Sequence, residues 1–419
     1  MNLLRQKRIS GIIILASCSL VLMSCSKKKG TVPDPGTTPV IENPGTSIPP
    51  VETLPPNANY APAFAGQTRI SGVKTAANIK ASIITSSLTS PWGITSLPDG
   101  RLLVTEKAGR IRIVTNAGSV GEPITGVPAV NAAGQGGLLG ICIDPDFSTN
   151  RMVYWSFSEP GNLTAVAKGR LSDNERSFEG VTVIYRATPV YAGANHYGGR
   201  VVFDRNENLF ASAGERADNS TRTQAQSLSS GFGKVVRINK DGQAVPGNPF
   251  IGQAGARPEL YSIGHRNPQG LAVHPVTGDV WQSEHGPRGG DEINRLQAGA
   301  NYGWPIITYG LEYSGQRVGE GIQQRDGMTQ PVYYWDPVVS PSGMTFYSGN
   351  HIAEWQNNLF IGSLSGMHIV RLVIENNKVT GEERLLRSEN QRFRDIAQGT
   401  DGALYAITDG GRLYRIDRE

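Results

Sequence analysis

Short apolar segments alternate with turn-forming residues from about residue 80 to the end of the chain. Each unit has an apolar segment, a turn rich in Pro, Asp, Asn or Gly, and a second segment of Leu followed by further apolar residues. Two short strands joined by such a turn form a β-hairpin. No long stretch has helical periodicity, and the chain contains 51 Gly and 26 Pro. The pattern therefore predicts a mostly β protein.

The hairpin pattern recurs six times, at spacings of about 45 to 75 residues. The copies begin at PWGITSLPDGRLLV, LLGICIDP, GGRVVFDRNENLF, NPQGLAVHPVTGDVW, PSGMTFYSG and RDIAQGTDGALYAI. A β-sandwich also has many hairpins, but it gives no reason for one pattern to recur. The repeats predict an all-β fold, a six-bladed β-propeller. ASIITSSL, at residues 81–88, has no partner near it and is expected to close the ring by pairing with the last blade.

The N-terminus has the features of an export signal. MNLLRQKR is basic, GIIILASCSLVLM is apolar, and LMSC at residues 22–25 resembles a bacterial lipobox. Residues 1–24 are predicted to be a lipoprotein signal peptide, with Cys25 lipidated. LASC at residues 15–18 also fits but leaves a very short apolar core, and an uncleaved anchor helix is a further alternative. In each case the domain is expected to be exported and tethered, periplasmic or at the cell surface. Ser26 favours the outer membrane.

The segment after the lipobox differs in composition from the rest of the chain. Residues 25–65 are rich in Pro, Thr and Gly and poor in apolar residues, which predicts an extended tether without secondary structure. Residues 66–419 are predicted to form the propeller.

Charge and cysteine content argue against a nucleic-acid partner and against a disulfide in the mature domain. The formal net charge is +4, and Arg5, Lys7 and Arg8 lie in the predicted leader, so the mature domain is nearly neutral and no nucleic-acid partner is expected. Of three cysteines, only Cys142 remains after processing and lipidation. It lies in the apolar run LLGICIDP and is expected to be a buried free thiol, without a disulfide in the mature domain.

Three of the six histidines stand among Gly and polar residues: NHYGG, GHRNPQG and EHGPRGGDE. Such loops allow the backbone to approach a ligand closely. HExxH and CxxC spacings are absent, so a transition-metal site is not indicated. SEHGPRGGDEIN, residues 283–294, combines exposed carbonyls with Asp291 and Glu292, a donor set that suits calcium. A polar turn with an acidic pair is an equally good interpretation of this stretch alone.

Four motifs resemble, in order, the soluble sugar dehydrogenases that use pyrroloquinoline quinone (PQQ). They are GQGGLLG, NHYGGRVVF with SAGER, GHRNPQGLA, and SEHGPRGGDEINRLQAGANYGWP. The closer resemblance is to the bacterial aldose sugar dehydrogenase branch, the glucose/sorbosone dehydrogenase family, and it covers roughly residues 80 to 417. It implies a six-bladed propeller that oxidises the C1 hydroxyl of an aldose to a lactone, with PQQ and Ca²⁺ as cofactors.

The resemblance implies two catalytic residues. His196 matches the family's general base, which takes the hydroxyl proton while a hydride passes to the quinone. Glu215, in SAGER, matches the carboxylate beside that histidine, and its implied role is to fix the tautomer and stabilise the imidazolium. The alternative for Glu215 is an ordinary strand end at the surface.

The resemblance also implies how the cofactors are bound. PQQ carries three carboxylates and an ortho-quinone, so arginine forks are expected around it. The implied PQQ contacts are Gln135, Arg266, Asn267, His285, Tyr313, Arg392 and Arg394. The carbonyls of Gly286 and Pro287 match ligands of a calcium ion that touches the cofactor. Glu292 and the carbonyl of Tyr302 resemble a second, structural calcium site.

One position departs from the family pattern. Some members have a lysine for a cofactor carboxylate in the loop that here reads SLSGMH, where this chain offers Ser365. The loss of one charged hydrogen bond costs about 1.5–3 kcal/mol of binding. Either PQQ binds more weakly to Ser365 and its surroundings, or a nearby Arg replaces the lysine.

Two other classes of function are open alternatives. A propeller that only binds glycans or a partner protein is one, and the missing charge at Ser365 motivates it. A metal-dependent lactonase would need carboxylates and Asn around one metal on the axis, and no such set is evident. The favoured function requires an aldose, an electron acceptor that the sequence does not identify, and a membrane contact through the lipid anchor.

Overall fold

The computed structural model of the chain describes residues 48–419, and nearly all their regular structure is β. The strands form six sheets arranged as a β-propeller, which confirms the predicted fold. No helix among these residues is long and apolar enough to cross a membrane. The predicted signal peptide and the first part of the predicted tether lie outside the described residues.

The first strand, β1 (Ile79–Thr85), belongs to the last sheet, and the six blades follow in chain order. Blade 1 has β2 (Pro91–Ser96), β3 (Leu102–Glu106) and β4 (Arg110–Val114). Blade 2 has β5 (Leu138–Ile143), β6 (Met152–Glu159), β7 (Leu163–Leu171) and β8 (Phe178–Arg186), with a short helix α1 (Phe147–Asn150). Blade 3 has β9 (Val201–Phe203), β10 (Leu209–Ala213), β11 (Lys234–Ile238) and β12 (Leu260–Ile263).

The remaining blades follow the same plan. Blade 4 has β13 (Pro268–Val273), β14 (Val280–Glu284), β15 (Asp291–Arg295) and β16 (Tyr333–Trp335). Blade 5 has β17 (Pro341–Phe346), β18 (Leu359–Ser363), β19 (Ile369–Glu375) and β20 (Lys378–Leu385). Blade 6 has β21 (Phe393–Gln398), β22 (Leu404–Thr408) and β23 (Leu413–Arg418), completed by β1. Three 3₁₀ turns lie at Arg222–Gln226, Ala353–Trp355 and Arg387–Glu389.

The ring is closed in two ways. The first strand of every blade contacts the first strands of both neighbours, from β2 through β21 and back to β2. In blade 6, β1 pairs antiparallel with β23, with Ile83 opposite Tyr414. This confirms the pairing predicted for ASIITSSL. Blade 1 has three strands rather than four, and the sequence pattern did not predict that difference.

Apolar side chains stabilise the ring by filling the spaces between neighbouring sheets. One hydrophobic cluster of buried residues lies at each of the six interfaces between blades. Trp155, Trp281 and Trp355 are among the largest fully buried side chains. Cys142, predicted to be a buried free thiol, is free but only partly buried in β5. It lines a channel at the axis.

The topology brings functional loops to one end of the ring. First and second strands of each blade are antiparallel, so the start of the first strand and the end of the second lie at the same end. We call this end the site face. Residues from every blade that directly precede a first strand or follow a second strand are therefore neighbours around the axis.

The described part of the predicted tether, residues 48–65, lies against blades 4 and 5 without forming a strand. The backbone N–H of Asn57 donates to the Asp336 carboxylate at 2.9 Å, just beyond β16. Glu52 forms an ion pair with Arg384 of β20 at 3.0 Å. These contacts fix the segment on the propeller, although its Pro-rich composition indicated only an extended chain.

Candidate active site

Two adjoining cavities open at the site face. The larger, of about 460 Å³, is lined by basic residues and is called the cationic cavity. The smaller, of about 310 Å³, contains His196 and Glu215 and is called the histidine cavity. Gln135, which precedes β5, lines both. The two cavities therefore adjoin at this residue.

His196 and Glu215 form a close, buried pair. His196 Nδ1 lies 2.6 Å from Glu215 Oε1, and the two side chains are 8% and 2% exposed. When Glu215 is ionised, Oε1 is the acceptor, so Nδ1 carries the proton and Nε2 keeps its lone pair. Nε2 has no hydrogen bond to another residue within 48–419, and the ring lines the histidine cavity. The side-chain carbonyl of Gln135 accepts a hydrogen bond from the His196 backbone N–H at 2.9 Å.

The local sequence allows this pair to form. His196 has a φ of +47°, in the left-handed region that a histidine adopts at a cost of about 1–3 kcal/mol. The chain then turns through Gly198 and Gly199, both with positive φ. A Cβ at Gly214 would lie 2.3 Å from the His196 carbonyl oxygen. Glycines in NHYGG and SAGER thus permit the close approach of the two loops.

The electrostatic surroundings keep His196 in its neutral form, so that the lone pair of Nε2 is available. Burial lowers the pKa of His196 well below its usual value, and the positive charges of Arg266, Arg216 and Arg222 lower it further. Burial raises the pKa of Glu215 to about 7, against the opposing charges of the same arginines. At neutral pH, His196 is therefore a neutral imidazole, and Glu215 titrates close to neutrality.

Arg266 lies beside the histidine cavity and is held by several contacts. Its backbone N–H donates to Glu284 Oε2 at 2.6 Å, and Nη1 donates to the Gly286 carbonyl at 2.7 Å. The guanidinium lies over the Trp304 ring, 5.2 Å from its centre. Tyr313 reaches Arg266 Nη2 with its hydroxyl at 3.5 Å and is 73% exposed. Arg266 and Tyr313 both line the histidine cavity.

Asn267 and His285 present unpaired polar atoms in the same region. Asn267 Oδ1 accepts a hydrogen bond from the Gly198 N–H at 3.1 Å, which ties blade 4 to the histidine loop. Its Nδ2 has no hydrogen-bond partner within 48–419, and neither does Nε2 of His285. His285 lines the cationic cavity, and burial lowers its pKa well below the usual value. Such buried, unpaired groups are suited to a polar ligand.

The cationic cavity is built around two arginines and one carboxylate. Arg394 Nε and Arg392 Nε each donate to the Asp409 carboxylate at 2.8 Å. Arg394 Nη1 also donates to Gln269 Oε1 at 3.0 Å. The indole ring of Trp92 lies 6.0 Å from the Arg394 guanidinium. All five side chains line the cavity, which gives it a flat aromatic wall and an excess of positive charge.

Ser365 lies at the edge of this arrangement. Its side chain is exposed, and its hydroxyl lies 2.8 Å from that of Ser340. Ser340 and Leu364 line the cationic cavity. The position therefore brings no charge to the cavity wall from blade 5.

The predicted metal ligands lie around a third, very small cavity of about 10 Å³. It is lined by Gly286, Glu284, Glu292 and Tyr302 among others, and Pro287 is buried beside it. Burial and the charge of Glu284 raise the pKa of Glu292 well above its usual value. Two carboxylates that repel each other beside a space of one-atom size fit a bound cation. The Gly286 carbonyl also accepts the hydrogen bond from Arg266 described above.

Several residues of the two cavities were not anticipated from the sequence. They fall into three groups by their place in the blades. Trp92 and Gln269 are the second residues of the first strands β2 and β13. Lys107 and Asp409 directly follow second strands, and Arg222 and Glu312 lie in the loops after β10 and β15. Lys107 and Asp409 could have been predicted as site residues from their position in the repeat, because they directly follow the second strands β3 and β22.

Comparison with known proteins identifies the family of the chain. The family model for glucose/sorbosone dehydrogenase matches residues 88–415. The chain is 40% identical over 348 residues to aldose sugar dehydrogenase YliI of Escherichia coli, covering 81% of this chain and 93% of that protein.

Two solved structures are similar over the propeller. The apo-form of the soluble aldose sugar dehydrogenase from Escherichia coli has a TM-score of 0.78 at 39% identity, covering 82% of this chain and all of that one. The PQQ-bound form of aldose sugar dehydrogenase from Streptomyces coelicolor has a TM-score of 0.69 at 28% identity, covering 83% of this chain and 100% of that one. The chain is therefore a member of the glucose/sorbosone dehydrogenase family, of the PQQ-type aldose sugar dehydrogenases.

Proposed function

We propose that this protein oxidises the C1 hydroxyl of aldose sugars to lactones, with PQQ and Ca²⁺ as cofactors and His196 as the general base. The observation that carries the proposal is the free Nε2 of His196 in a cavity that adjoins the cationic cavity. Family membership supports the reaction class. Residues 48–419 contain candidate groups for quinone binding, calcium binding and proton transfer.

The cationic cavity suits the quinone. PQQ is a flat anion with three carboxylates, and the cavity offers two arginines, Lys107, and the aromatic face of Trp92. Nδ2 of Asn267 and Nε2 of His285 are buried donors or acceptors without partners within 48–419. When bound, PQQ would supply the hydride acceptor, and a calcium ion on its oxygens would strengthen it as an electrophile.

Calcium is proposed at two places. The carbonyls of Gly286 and Pro287 would serve an ion next to the quinone, which requires Arg266 to share or release the Gly286 carbonyl. Glu292 and the Tyr302 carbonyl would hold a structural ion. Within 48–419 no three His, Cys, Asp or Glu side chains converge on one point. A cation here would thus be bound largely by carbonyl oxygens, which calcium accepts.

The protein's own side chains perform the proton chemistry. An aldose in the histidine cavity would place its C1 hydroxyl near Nε2 of His196, which takes the proton as the C1–H bond breaks. Glu215, held at Nδ1, keeps the imidazole in the correct tautomer and stabilises the imidazolium that forms. Arg222 and Glu312, paired at 2.5 Å on the cavity wall, offer donors and acceptors to the sugar hydroxyls.

The test uses the full chain loaded with PQQ and Ca²⁺ and an aldose with deuterium at C1. We expect the quinone absorbance to be bleached by sugar, a lactone product, and slower bleaching with the deuterated sugar because the C1–H bond breaks in the step. A protein that binds PQQ and sugar without any bleaching would instead be a non-catalytic binding propeller. Bleaching without an isotope effect, in single-turnover conditions, would argue against C1–H cleavage as the rate-limiting chemistry.

We further propose that the protein is exported and anchored by a lipid on Cys25. The support is the basic start, apolar run and LMSC ending of the N-terminal segment. The test is incorporation of labelled fatty acid by growing cells. We expect labelling of the parent and none of the Cys25→Ser variant, whereas equal labelling of the two would contradict lipidation at this residue.

A further inference from the structure

The cationic cavity contains one cation that no carboxylate neutralises. Arg392 and Arg394 are both paired with Asp409. Lys107 follows β3 and lines the same cavity. Within residues 48–419 it has no carboxylate within ion-pair distance, and its Nζ donates to the Gly134 carbonyl.

We infer that Lys107 binds a carboxylate of the quinone and supplies the third positively charged side chain of the cationic cavity. The inference rests on the proposed PQQ function and deepens it. A charge without an acidic partner is available to an anionic ligand without first breaking an ion pair. The arginines, in contrast, share their charge with Asp409, so the cavity without Lys107 carries about one net positive charge for a ligand with three negative ones.

The position of Lys107 explains how the chain can function with Ser365. Ser365 is neutral, exposed and bonded to Ser340 on the blade 5 side of the cavity. Lys107 belongs to blade 1, which adjoins blade 6 with Arg392 and Arg394 on the side opposite to blade 5. The cationic cavity thus has three cations, and the third comes from blade 1, on the other side of blade 6 from Ser365.

The repeat makes the position of Lys107 equivalent to that of other site residues. It follows the second strand of blade 1 directly, as His285 follows β14 and Asp409 follows β22. Its backbone is held at the site face by the Lys107 N–H, which donates to the Ser90 carbonyl at 3.0 Å, and by the Leu138 N–H, which donates to the Lys107 carbonyl at 3.0 Å. The lysine is therefore anchored at the cavity, and only its side chain needs to move from Gly134 to the ligand.

The experiment measures the dissociation constant of PQQ for the full apo chain, in the presence of Ca²⁺, by quenching of tryptophan fluorescence at low and at high salt. The variants are Lys107→Gln, which keeps a polar side chain but has no charge, and Lys107→Arg, which keeps the charge. The matched control is Lys80→Gln, which removes an exposed lysine of β1.

We expect Lys107→Gln to bind PQQ about tenfold more weakly at low salt, because it loses one charge-assisted hydrogen bond. Its deficit should shrink at high salt, where charges are screened. Lys107→Arg and Lys80→Gln should bind like the parent. The inference is overturned if Lys107→Gln binds as tightly as the parent at low salt, or if its deficit is independent of salt, which indicates a role in shaping the loop of Gly134. Failure of the parent itself to bind PQQ would instead refute the proposed function.

Discussion

Successive blades 3 and 4 each carry a pair of a histidine and a glutamate nineteen residues later. In each blade the histidine precedes the first strand and its Nδ1 lies near the glutamate, which ends β14 in blade 4 and lies two residues beyond β10 in blade 3. His196 and Glu215 are 2.6 Å apart, and His265 and Glu284 are 3.1 Å apart. The two blades therefore carry pairs with a similar contact, offset by two positions relative to their strands.

The two pairs differ in what surrounds them. His265 is fully buried, its Nε2 lies 2.8 Å from the Ser262 hydroxyl, and its ring stacks on Tyr302 at 4.9 Å. Glu284 also accepts hydrogen bonds from Arg266 N–H and Asn294. Both ring nitrogens of His265 are hydrogen-bonded within the fold, whereas Nε2 of His196 faces a cavity. The comparison shows that a free nitrogen at a cavity, rather than the pair itself, makes a histidine available for chemistry.

The largest expected effect comes from His196→Ala. Removal of the general base should lower turnover about 10²–10⁴-fold, while PQQ binding stays close to that of the parent. Turnover is measured with a dye acceptor on protein of known PQQ content, and thermal unfolding serves as the folding control. Turnover within about threefold of the parent would show that the two histidines differ in surroundings but not in role.

His265→Ala should affect stability instead. The variant leaves Glu284 buried without one of its partners and removes a packed ring, at a cost of about 2–4 kcal/mol in the free energy of unfolding. Turnover per folded, loaded molecule should stay within about tenfold of the parent. Denaturant unfolding and the same dye assay give both quantities. A loss of turnover as large as that of His196→Ala, at unchanged stability, would contradict the structural role of the second pair.

The sequence predicts the fold and part of the candidate site. The hairpin copies predicted the six blades, and ASIITSSL predicted the pairing of β1 with β23. The roles proposed for His196 and Glu215 rest on family motifs, because spacing alone does not distinguish these residues from His265 and Glu284. Lys107 was missed because TEKAGR has an ordinary hairpin turn composition. Only its equivalence to His285 in the repeat, at the end of a second strand, marks it as a site residue.

The pH dependence of turnover should belong to the first pair alone. Burial raises the pKa of Glu215 to about 7, and the ionised form is the one that accepts Nδ1–H. Turnover should therefore fall as pH drops through about 7 and rise above it, while His196 itself stays neutral because its pKa is lowered. Glu215→Gln should lower the plateau about 10- to 100-fold and remove this limb of the profile. A limb that persists unchanged in Glu215→Gln would assign it to another group.

The smallest expected effect comes from Ser262→Ala, which sharpens the comparison by freeing Nε2 of His265. The loss of one buried hydrogen bond should cost about 1–3 kcal/mol in the free energy of unfolding, because the nitrogen is left unsatisfied. Turnover should not change, since His265 has no exposed surface. Thermal unfolding and the dye assay again provide the two readings, and unchanged stability would contradict the assigned hydrogen bond.

The central claim is that His196 is the base acting beside a quinone in the adjoining cavity. The most direct test is the rate at which an aldose bleaches bound PQQ in a single turnover, without an electron acceptor. The rate is compared between the parent and His196→Gln, both loaded to the same extent with PQQ and Ca²⁺. If His196 is the base, the two proteins should have equal starting spectra and only the parent should be bleached rapidly. Bleaching of the variant at the parent's rate would contradict this claim.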